Sequence, residues 1–377
     1  MKSVIKFTRR NFLKISSIST IASAIIPGKI MGQEKEEKIN SKNILNYHPD
    51  MHYRRLGNTD IYLSVLSLGG GGLKSEVTKY AIQKGVNLIH MSQNYGKGRA
   101  IRELGKVLKT SRDKVYIAVK ADFDNLDSVL ETLHTDYIDF LMFPRHSEKK
   151  INNFEDIAKY EQYKQQGKVR FMGLTIHNKV KQCLSRAIQG GHYSLIMPSL
   201  NQPNLELLAE ELTAAYKNNI SIMAMKTLQG IKNKDLQVAF LKKLLKNPGV
   251  TTIIKGINSF KTFDLYQKAI SESLSLKEDF KLYRYAQKNR SNNCMMCGEC
   301  EEICPYNIEI STLLRCKYYY YDQLNELHTA RMNYRNIPQR RRNTDNCNTC
   351  KKCEQYCPNG IAITSKLIET NKFFSKT

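Results

Sequence analysis

The stretch that decides the fold reads IDFLMF at residues 138–143 and is followed, after a helix-compatible segment, by VRFMGL at residues 169–174. Both runs are short and almost continuously apolar, which favours β-strands buried on both faces of a parallel sheet. Six similar runs lie at residues 63–68, 87–91, 115–119, 194–197, 220–225 and 250–254. Each run precedes a segment with helical spacing. Eight strand–helix units in about 225 residues predict an α/β fold, a closed (β/α)8 TIM barrel.

A doubly wound dinucleotide-binding sheet is the weaker interpretation. No Gly-x-Gly-x-x-Gly follows the first run, since residues 69–72 are four consecutive glycines. In a barrel, chemistry is placed where strands end at the C-terminal face. The strand ends give these candidates: Gly69, Gly70, residues 90–95, Lys120, residues 144–146, residues 175–177, Asn201, Lys226, Lys255 and Gly256.

Eight of the ten cysteines form two runs of identical spacing near the C-terminus. Each run reads C-x-x-C-x-x-C-x-x-x-C-P. The first holds Cys294, Cys297, Cys300 and Cys304, and the second holds Cys347, Cys350, Cys353 and Cys357. Structural zinc would leave surplus cysteines, and disulfide scaffolds are typical of short secreted chains that lack a core. The repeated quartets therefore predict two [4Fe–4S] clusters as cofactors.

The runs resemble those of bacterial two-cluster ferredoxins, in which the fourth cysteine of each run binds the other cluster. That resemblance implies one ligand set of Cys294, Cys297, Cys300 and Cys357, and a second of Cys347, Cys350, Cys353 and Cys304. Between the runs, residues 309–332 have helix-compatible composition. We expect residues 286–377 to form a small α-helical ferredoxin-like domain after a barrel at residues 53–285.

The N-terminus predicts export. Residues 1–32 combine a basic front with a short apolar run, and TRRNFLK at residues 8–14 closely resembles the twin-arginine signal. This resemblance implies the twin-arginine export machinery as a partner and a location in the periplasm or cell envelope. Residues 33–52 are rich in Lys, Glu and Asn and are interpreted as a linker.

The formal net charge of +24 is high, but the basic residues are spread along the chain. No basic run alternates with aromatic residues as in known nucleic-acid motifs, so we expect no nucleic acid partner. A solvated lysine-rich surface is the better interpretation of this charge, and an acidic redox partner protein or a membrane face is the alternative.

Several motifs between residues 53 and about 275 resemble the aldo/keto reductase family. They are YRRLGNT at 53–59, GVNLI at 85–89, YGKG at 95–98, LG at 104–105, YID at 137–139, GKVRFMG at 167–173 and PGVTT at 248–252. With the cysteine runs, the chain resembles the branch of that family that carries a C-terminal ferredoxin-type domain. The resemblance implies a (β/α)8 barrel, carbonyl reduction and NADP(H) as a further cofactor.

The resemblance also implies catalytic residues. Tyr95 and Lys120 stand at the positions of the family's Tyr acid and Lys, and a cation beside a phenol favours its ionised form. The family's Asp position holds His90, and the position of its His holds Pro144. His146, or Arg145, is then the candidate to reach back into the site.

The family's cofactor-binding positions are matched in part. The resemblance places cofactor contacts at Asn201, Lys255, Gly256 and Ser259, the last three before a helix N-terminus suited to phosphate. The family's Ser-Glu pair after the YGKG segment is Ala100-Ile101 here.

Two functional hypotheses follow. The first is an iron–sulfur oxidoreductase that couples a carbonyl or alcohol site to the two clusters. Its substrate would be a small carbonyl compound or a sugar-derived compound. The alternative is an electron-transfer protein whose barrel has lost catalysis and serves as a docking scaffold.

Overall fold

The computed structural model describes residues 40–121, 126–321 and 327–375 of the 377-residue chain. Eight parallel strands close into a barrel in the order β3 to β10, with β10 pairing back onto β3. An antiparallel hairpin, β1–β2, precedes them. The strands are β1 (Tyr53–Arg55), β2 (Tyr62–Ser64), β3 (Leu66–Gly69), β4 (Leu88–Ser92), β5 (Tyr116–Lys120), β6 (Ile138–Pro144), β7 (Val169–Ile176), β8 (Leu195–Pro198), β9 (Ser221–Ala224) and β10 (Thr252–Lys255). The predicted (β/α)8 barrel is confirmed.

Eight helices alternate with the barrel strands, as right-handed crossover connections require. They are α1 (Ser75–Gln83), α2 (Arg99–Leu108), α3 (Leu126–Leu133), α4 (Phe154–Gln165), α5 (Val180–Gly190), α6 (Ala209–Lys217), α7 (Lys234–Leu245) and α8 (Phe260–Ile270). Each packs an apolar stripe on the strands. In α2, for example, Ile101, Leu104 and Leu108 recur at helical spacing and are buried.

The barrel interior is apolar in its lower layers and is closed at the bottom by the hairpin. Leu56 and Leu63 pack in one cluster with inward-facing strand residues such as Phe140, Leu195 and Met223. The sequence run at residues 63–68 is thus divided between two elements, because Leu63 belongs to the hairpin that plugs the barrel and Leu66 begins the first barrel strand.

Buried Asp139 ties two strands together near this lower end. It is 1% exposed and accepts hydrogen bonds from Arg112 Nη2 at 3.0 Å, from Arg170 Nη1 at 2.8 Å and from the backbone N–H of Ile117 at 2.9 Å. Two guanidinium groups therefore compensate the buried carboxylate.

Helix α9 (Leu276–Asn289) joins the barrel to the cysteine domain and spans the predicted boundary at residue 285. Its N-terminus has a capping box between Ser275 and Glu278. Lys242 of α7 binds Glu278 Oε1 at 2.9 Å and Glu272 Oε2, in the turn before α9, at 2.8 Å. Lys243 binds Asp279 at 2.7 Å. These ion pairs hold α9 against the barrel wall.

The cysteine domain is helical, as predicted. Its helices are α10 (Glu299–Glu302), α11 (Ile310–Tyr321), α12 (Leu327–Arg335), α13 (Gln339–Arg342), α14 (Cys347–Cys350), α15 (Lys352–Gln355) and α16 (Ile363–Ser375). Leu313, Ala330, Leu367 and Phe374 form its core. Residues Ser41–Thr377 form one unit, so the contacts between this domain and the barrel lie within it.

The predicted signal segment, residues 1–32, lies outside the described residues. Of the predicted linker at residues 33–52, the structure describes residues 40–52. There Ile44 and Met51 are buried against the barrel, and Asn46 Nδ2 donates to the backbone oxygens of Ile82 and Val86 at 2.7 and 3.0 Å. Within the described part of the chain, no helix is long and apolar enough to cross a membrane.

Candidate active site and cluster-binding domain

The upper layer of the barrel interior is polar, unlike the layers beneath it. Side chains alternate along a strand, so a residue two positions after an inward-facing residue also faces inward. Leu88 and Ala118 belong to the interior cluster, and His90 and Lys120 follow them by two positions. The C-terminal face of the barrel, hereafter the mouth, therefore presents ionisable side chains.

The structure brings Tyr95, Lys120 and His90 together at the ends of β4 and β5. Lys120 Nζ lies 5.5 Å from the centroid of the Tyr95 ring, and the ring centroids of His90 and Tyr95 are 6.1 Å apart. His90 is 2% exposed, and burial, with a smaller effect of the Lys120 cation, lowers its pKa to about 3. A neutral imidazole thus occupies the position where the aldo/keto reductase pattern has a carboxylate.

The segment after β6 directs Arg145 away from the mouth. Its guanidinium donates to both carboxylate oxygens of Asp156, at 2.7 and 2.6 Å. A bidentate pair of this kind fixes the side chain. Of the two sequence candidates, Arg145 is therefore engaged elsewhere.

His146 lies among the cations of the mouth instead. Its pKa is lowered well below the usual value by burial and then by Arg315, Lys120 and Lys226. His146 Nδ1 accepts a hydrogen bond from the backbone N–H of His177 at 3.3 Å, and the two rings are 4.9 Å apart. Because Nδ1 is the acceptor, the neutral ring carries its proton on Nε2. His146 is therefore a hydrogen-bond donor.

Two loops at the same end carry the predicted cofactor-binding residues. Asn201, after β8, is fully buried and donates from Nδ2 to Gln229 Oε1 at 3.3 Å. Its Oδ1 finds no hydrogen-bond partner among the described residues. This oxygen is therefore an acceptor suited to an amide N–H of a ligand.

The second loop follows β10. Lys255 is half-buried, and burial, with a contribution from Lys234, lowers its pKa to about 7. Gly256 is exposed, and Ser259 caps α8 by accepting a hydrogen bond from the backbone N–H of Thr262 at 3.3 Å. A helix N-terminus preceded by a lysine is a suitable environment for a phosphate.

Helix α11 of the cysteine domain covers part of the mouth. Lys226, just after β9, donates from Nζ to Tyr319 Oη at 2.8 Å and lies 4.4 Å from the centre of that ring. Arg315 is one helical turn before Tyr319, on the same face, and is 3% exposed. Burial, followed by Arg315 and Lys120, lowers the pKa of Lys226 well below its usual value. The two domains thus form the mouth jointly.

The first cysteine run also docks on barrel loops. Met296 is 1% exposed, packs within the barrel core cluster, and accepts a hydrogen bond at its backbone oxygen from Val180 N–H at 3.2 Å. Asn178 Nδ2 donates to Glu301 Oε2 at 2.9 Å, and Lys179 binds Glu302 at 3.0 Å. The first cysteine run is consequently held beside the ends of β7 and β8.

Four of the eight cysteines, one from the first run and three from the second, line a common cavity. This cavity is lined by Cys304 of the first run and by Cys347, Cys350 and Cys353 of the second. No three His, Cys, Asp or Glu side chains in the described ranges lie close enough together to hold a single metal ion. A cavity with four thiols around it fits a multi-iron cluster.

The other four cysteines, Cys294, Cys297, Cys300 and Cys357, also lie near one another. Burial raises the pKa of Cys294 to about 12, and Cys297 and Cys357 raise it further. Burial raises the pKa of Cys300, and Cys294, Glu301, Cys297 and, from the other set, Cys353 raise it further. The backbone N–H groups of Met296 and Ile361 donate to Cys294 Sγ and Cys357 Sγ, each at 3.4 Å, as is common around iron–sulfur ligands.

Lys226 and His177 lie at strand ends and were among the candidates, whereas Arg315 and Tyr319 come from the other domain and were not predicted. A signal for Arg315 was present in the sequence. The segment Ile310–Tyr321 reads ISTLLRCKYYYY, in which one arginine lies beside apolar residues at helical spacing. A charge on the apolar face of a helix indicates a buried partner or ligand.

Comparison with known proteins agrees with the two-domain architecture. Residues 73–237 match the model of the aldo/keto reductase family, and residues 290–361 match that of the 4Fe-4S dicluster domain. The uncharacterized oxidoreductase YqkF of Bacillus subtilis (strain 168) is 26% identical over 151 residues, which cover 33% of this chain and 49% of that protein. The match thus spans about half the length of this curated relative.

Two solved structures show the same fold. The aldo-keto reductase AKR11C1 of Bacillus halodurans, in its holo form, aligns over 62% of this chain and 96% of its own, with 19% identity and a TM-score of 0.52. An aldo-keto reductase of Klebsiella pneumoniae in complex with NADPH aligns over 61% and 93%, with 19% identity and a TM-score of 0.51. The chain is therefore an aldo/keto-reductase-like barrel joined to a 4Fe-4S dicluster domain.

Proposed function

We propose that this protein is an exported oxidoreductase that interconverts a small alcohol and its carbonyl compound at the barrel mouth and exchanges the electrons with two [4Fe–4S] clusters. The two predicted crossed sets of cysteines would hold the clusters. Each cluster, when bound, accepts or donates one electron. The oxidation of an alcohol breaks an O–H and a C–H bond: Tyr95 would take the hydroxyl proton, and the carbon-bound hydrogen would leave as hydride to nicotinamide when it is bound. The two electrons of one turnover match two one-electron clusters.

The observation that carries this proposal is the path of helix α11. Ile308 and Ile310, at its N-terminal end, line the cavity around Cys304 and Cys347. Nine residues later Tyr319 contacts Lys226 at the barrel mouth. At 1.5 Å per residue this is about 14 Å along the helix axis. Helix α11 therefore connects the lining of the cysteine cavity directly to the barrel mouth.

The side chains at the mouth have distinct roles in this proposal. Tyr95 exchanges a proton with the substrate oxygen, and the Lys120 cation beside its ring stabilises the ionised phenol. His146, with its proton on Nε2, donates a hydrogen bond to the same oxygen and replaces the histidine whose position holds Pro144. His90 stays neutral and does not serve as an acid.

The residues present also fit NADP(H) in part. Asn201 offers an unpartnered carbonyl oxygen to a carboxamide, and Lys255 with Gly256 precedes a helix N-terminus suited to phosphate. The solved relative from Klebsiella pneumoniae is in complex with NADPH. We propose that these two loops hold NADP(H) when it is bound, and that it supplies hydride chemistry at the mouth. Fluorescence titration of the cluster-loaded protein, with Asn201→Ala as the variant, tests this.

The oxidoreductase proposal is tested by Tyr95→Phe in anaerobically purified, cluster-loaded protein. Sugar alcohols, aldoses and their carboxylate or phosphate derivatives are added, and cluster absorption and electron paramagnetic resonance are recorded. We expect substrate-dependent reduction or oxidation of the clusters in the wild type and a loss of at least about 100-fold in Tyr95→Phe. Dithionite should still reduce the variant. Tyr283→Phe, which alters an exposed tyrosine, is the matched control.

One observation favours the alternative, an electron-transfer protein with a barrel that has lost catalysis. Helix α11 covers part of the mouth, and Lys226 is bonded to Tyr319 rather than to a ligand. In that case no alcohol or carbonyl compound changes the cluster spectra. Tyr95→Phe then transfers electrons to an external carrier as fast as the wild type.

Export through the twin-arginine machinery to the periplasm or cell envelope is also proposed, on the basis of residues 1–32. An acidic redox partner is proposed from the net charge of +24. Replacement of both Arg9 and Arg10 by lysine should retain the protein in the cytoplasm, as cell fractionation would show. Unchanged export of this variant would contradict the proposed signal.

A further inference from the structure

We propose that an oxyanion binds where α11 packs on the barrel mouth, and that the substrate carries a carboxylate or phosphate group that Arg315 and Lys226 bind. The identification of the ligand as substrate rests on the proposed oxidoreductase function. The anion site itself does not.

Unpartnered buried polar atoms are concentrated at this place. In the described residues, thirteen buried side-chain nitrogen and oxygen atoms find no hydrogen-bond partner. Eight of them belong to residues at the ends of β4, β7, β8 and β9 and to Arg315. They are His90 Nε2, Thr175 Oγ1, His177 Nδ1, Ser199 Oγ, Asn201 Oδ1, Thr227 Oγ1, and Arg315 Nε and Nη1. Buried polar groups normally have partners, so this concentration indicates a ligand site.

Most of these atoms are donors. The guanidinium of Arg315 has two unpartnered N–H groups and no acceptor, and the three hydroxyl groups can each donate. Arg315 is 3% exposed, whereas arginine is rarely this buried without an anionic partner. Its planar fork matches the geometry of a carboxylate or phosphate.

The charges around the site have the same sign. Burial lowers the pKa of His177, and Lys226, Arg315, His146 and Lys120 lower it further. Asp156 is bound by Arg145, and Glu301 accepts from Asn178 and from a backbone N–H of α11. In the part of the chain that the structure describes, neither carboxylate is among the groups that shift the pKa values of His146 and His177.

The backbone at Lys226 supports a functional role for this cation. Lys226 has φ of +55°, in the left-handed region that lysine rarely adopts. Such a conformation is retained where the surroundings enforce it, and it occurs preferentially at ligand sites. Here it directs Nζ to Tyr319 Oη, one helical turn from Arg315.

The test is calorimetric titration of the cluster-loaded, full-length protein with inorganic phosphate, D-gluconate and neutral D-glucose, at constant ionic strength. We expect one phosphate or gluconate per chain and no comparable binding of glucose. Whichever anion binds more tightly identifies the group. Arg315→Met removes the donors with little change in volume and should weaken binding by about tenfold or more. Lys317→Gln removes one positive charge from the same helix, where Lys317 pairs with Glu369, and should bind as the wild type does.

Visible absorption confirms that each variant holds its clusters. If Arg315→Met does not fold, Lys226→Asn replaces it, because asparagine tolerates the left-handed backbone and removes the charge. Absence of anion binding in the wild type would overturn the proposal. So would equal affinity in the wild type and Arg315→Met, since the cations would then serve to balance the charge of the clusters. Anion binding that depends on Arg315, together with no substrate-driven change in the cluster spectra, would support the anion site and refute the oxidoreductase function.

Discussion

Paired cysteine substitutions test whether each run supplies its fourth cysteine to the cluster of the other run. Cys300→Ala combined with Cys357→Ala alters two thiols of one crossed set. The cavity lined by Cys304, Cys347, Cys350 and Cys353 keeps all its thiols. The double variant should therefore lose one cluster of two, from about eight to about four irons per chain.

A second pair is the control for loss of both clusters, and a third pair distinguishes the arrangements. Cys300→Ala combined with Cys353→Ala removes one ligand from each crossed set, so both clusters should be damaged and the iron content should approach zero. If each run instead bound its own cluster, Cys300→Ala with Cys304→Ala would be the pair that spares one cluster. Cys300→Ala with Cys357→Ala would then damage both.

Iron and acid-labile sulfide per chain, measured after anaerobic purification, decide between these outcomes. Electron paramagnetic resonance of the dithionite-reduced protein shows whether one or two clusters remain. Cys183→Ala is the control, because this buried cysteine lies in α5, outside both runs. It should retain the iron content of the wild type. Loss of both clusters from Cys300→Ala with Cys357→Ala would refute the crossed arrangement.

Two further predictions concern stability and pH. Asp139→Asn should lower the free energy of unfolding by about 3 kcal/mol in denaturant titrations, because it breaks the buried ion pair with Arg112. The ion pair with Arg170 contributes little to this loss, since the Arg170 side chain is more than a third exposed. Asp60→Asn, which alters an exposed ion pair with Arg55, should have no measurable effect on the free energy of unfolding. Equal losses of stability in the two variants would contradict the stabilising role of the buried Asp139–Arg112 pair. The pKa of His90 is about 3 when folded, below the ordinary 6.5, so the unfolded chain binds its proton first as the pH falls. The contribution of neutral His90 to the free energy of unfolding is complete above pH 6.5 and is lost as the pH falls towards 3. The loss has a slope of up to about 1.4 kcal/mol per pH unit. In the pH range where cluster absorption is unchanged, the free energy of unfolding of His90→Asn should fall less steeply with decreasing pH than that of the wild type. Parallel curves of free energy against pH would count against a neutral His90.

The fold was predictable because burial of parallel strands leaves a strong signal. The run at residues 138–143 became β6 (Ile138–Pro144), and that at residues 169–174 became β7 (Val169–Ile176). The hairpin was not predicted, because Leu63 and Leu66 are both buried and a single apolar run cannot show that the chain turns between two elements. The spacing of the cysteines likewise made both cysteine runs recognisable in the sequence.

The active-site candidates were predictable only where they come from barrel strands. Tyr95, Lys120 and His90 follow from strand ends, and the structure brings them together. Arg315 did not follow from that reasoning, because its approach to the mouth depends on how one domain packs on another. Local sequence patterns do not encode such packing. The choice between Arg145 and His146 depended on Asp156, which binds Arg145 from the next helix.

The ion pairs that hold α9 to the barrel have a consequence for how electrons would move. In proteins whose redox domain swings on a tether, each transfer waits for a diffusive encounter, so the rate falls as the medium becomes more viscous. Here Lys242 and Lys243 bind three carboxylates at the start of the connecting helix, and Leu282, further along it, is 2% exposed. Met296 and Tyr319 hold the other side of the domain. The separation between donor and acceptor is thereby set by packing, and internal electron flow should be insensitive to glycerol or sucrose.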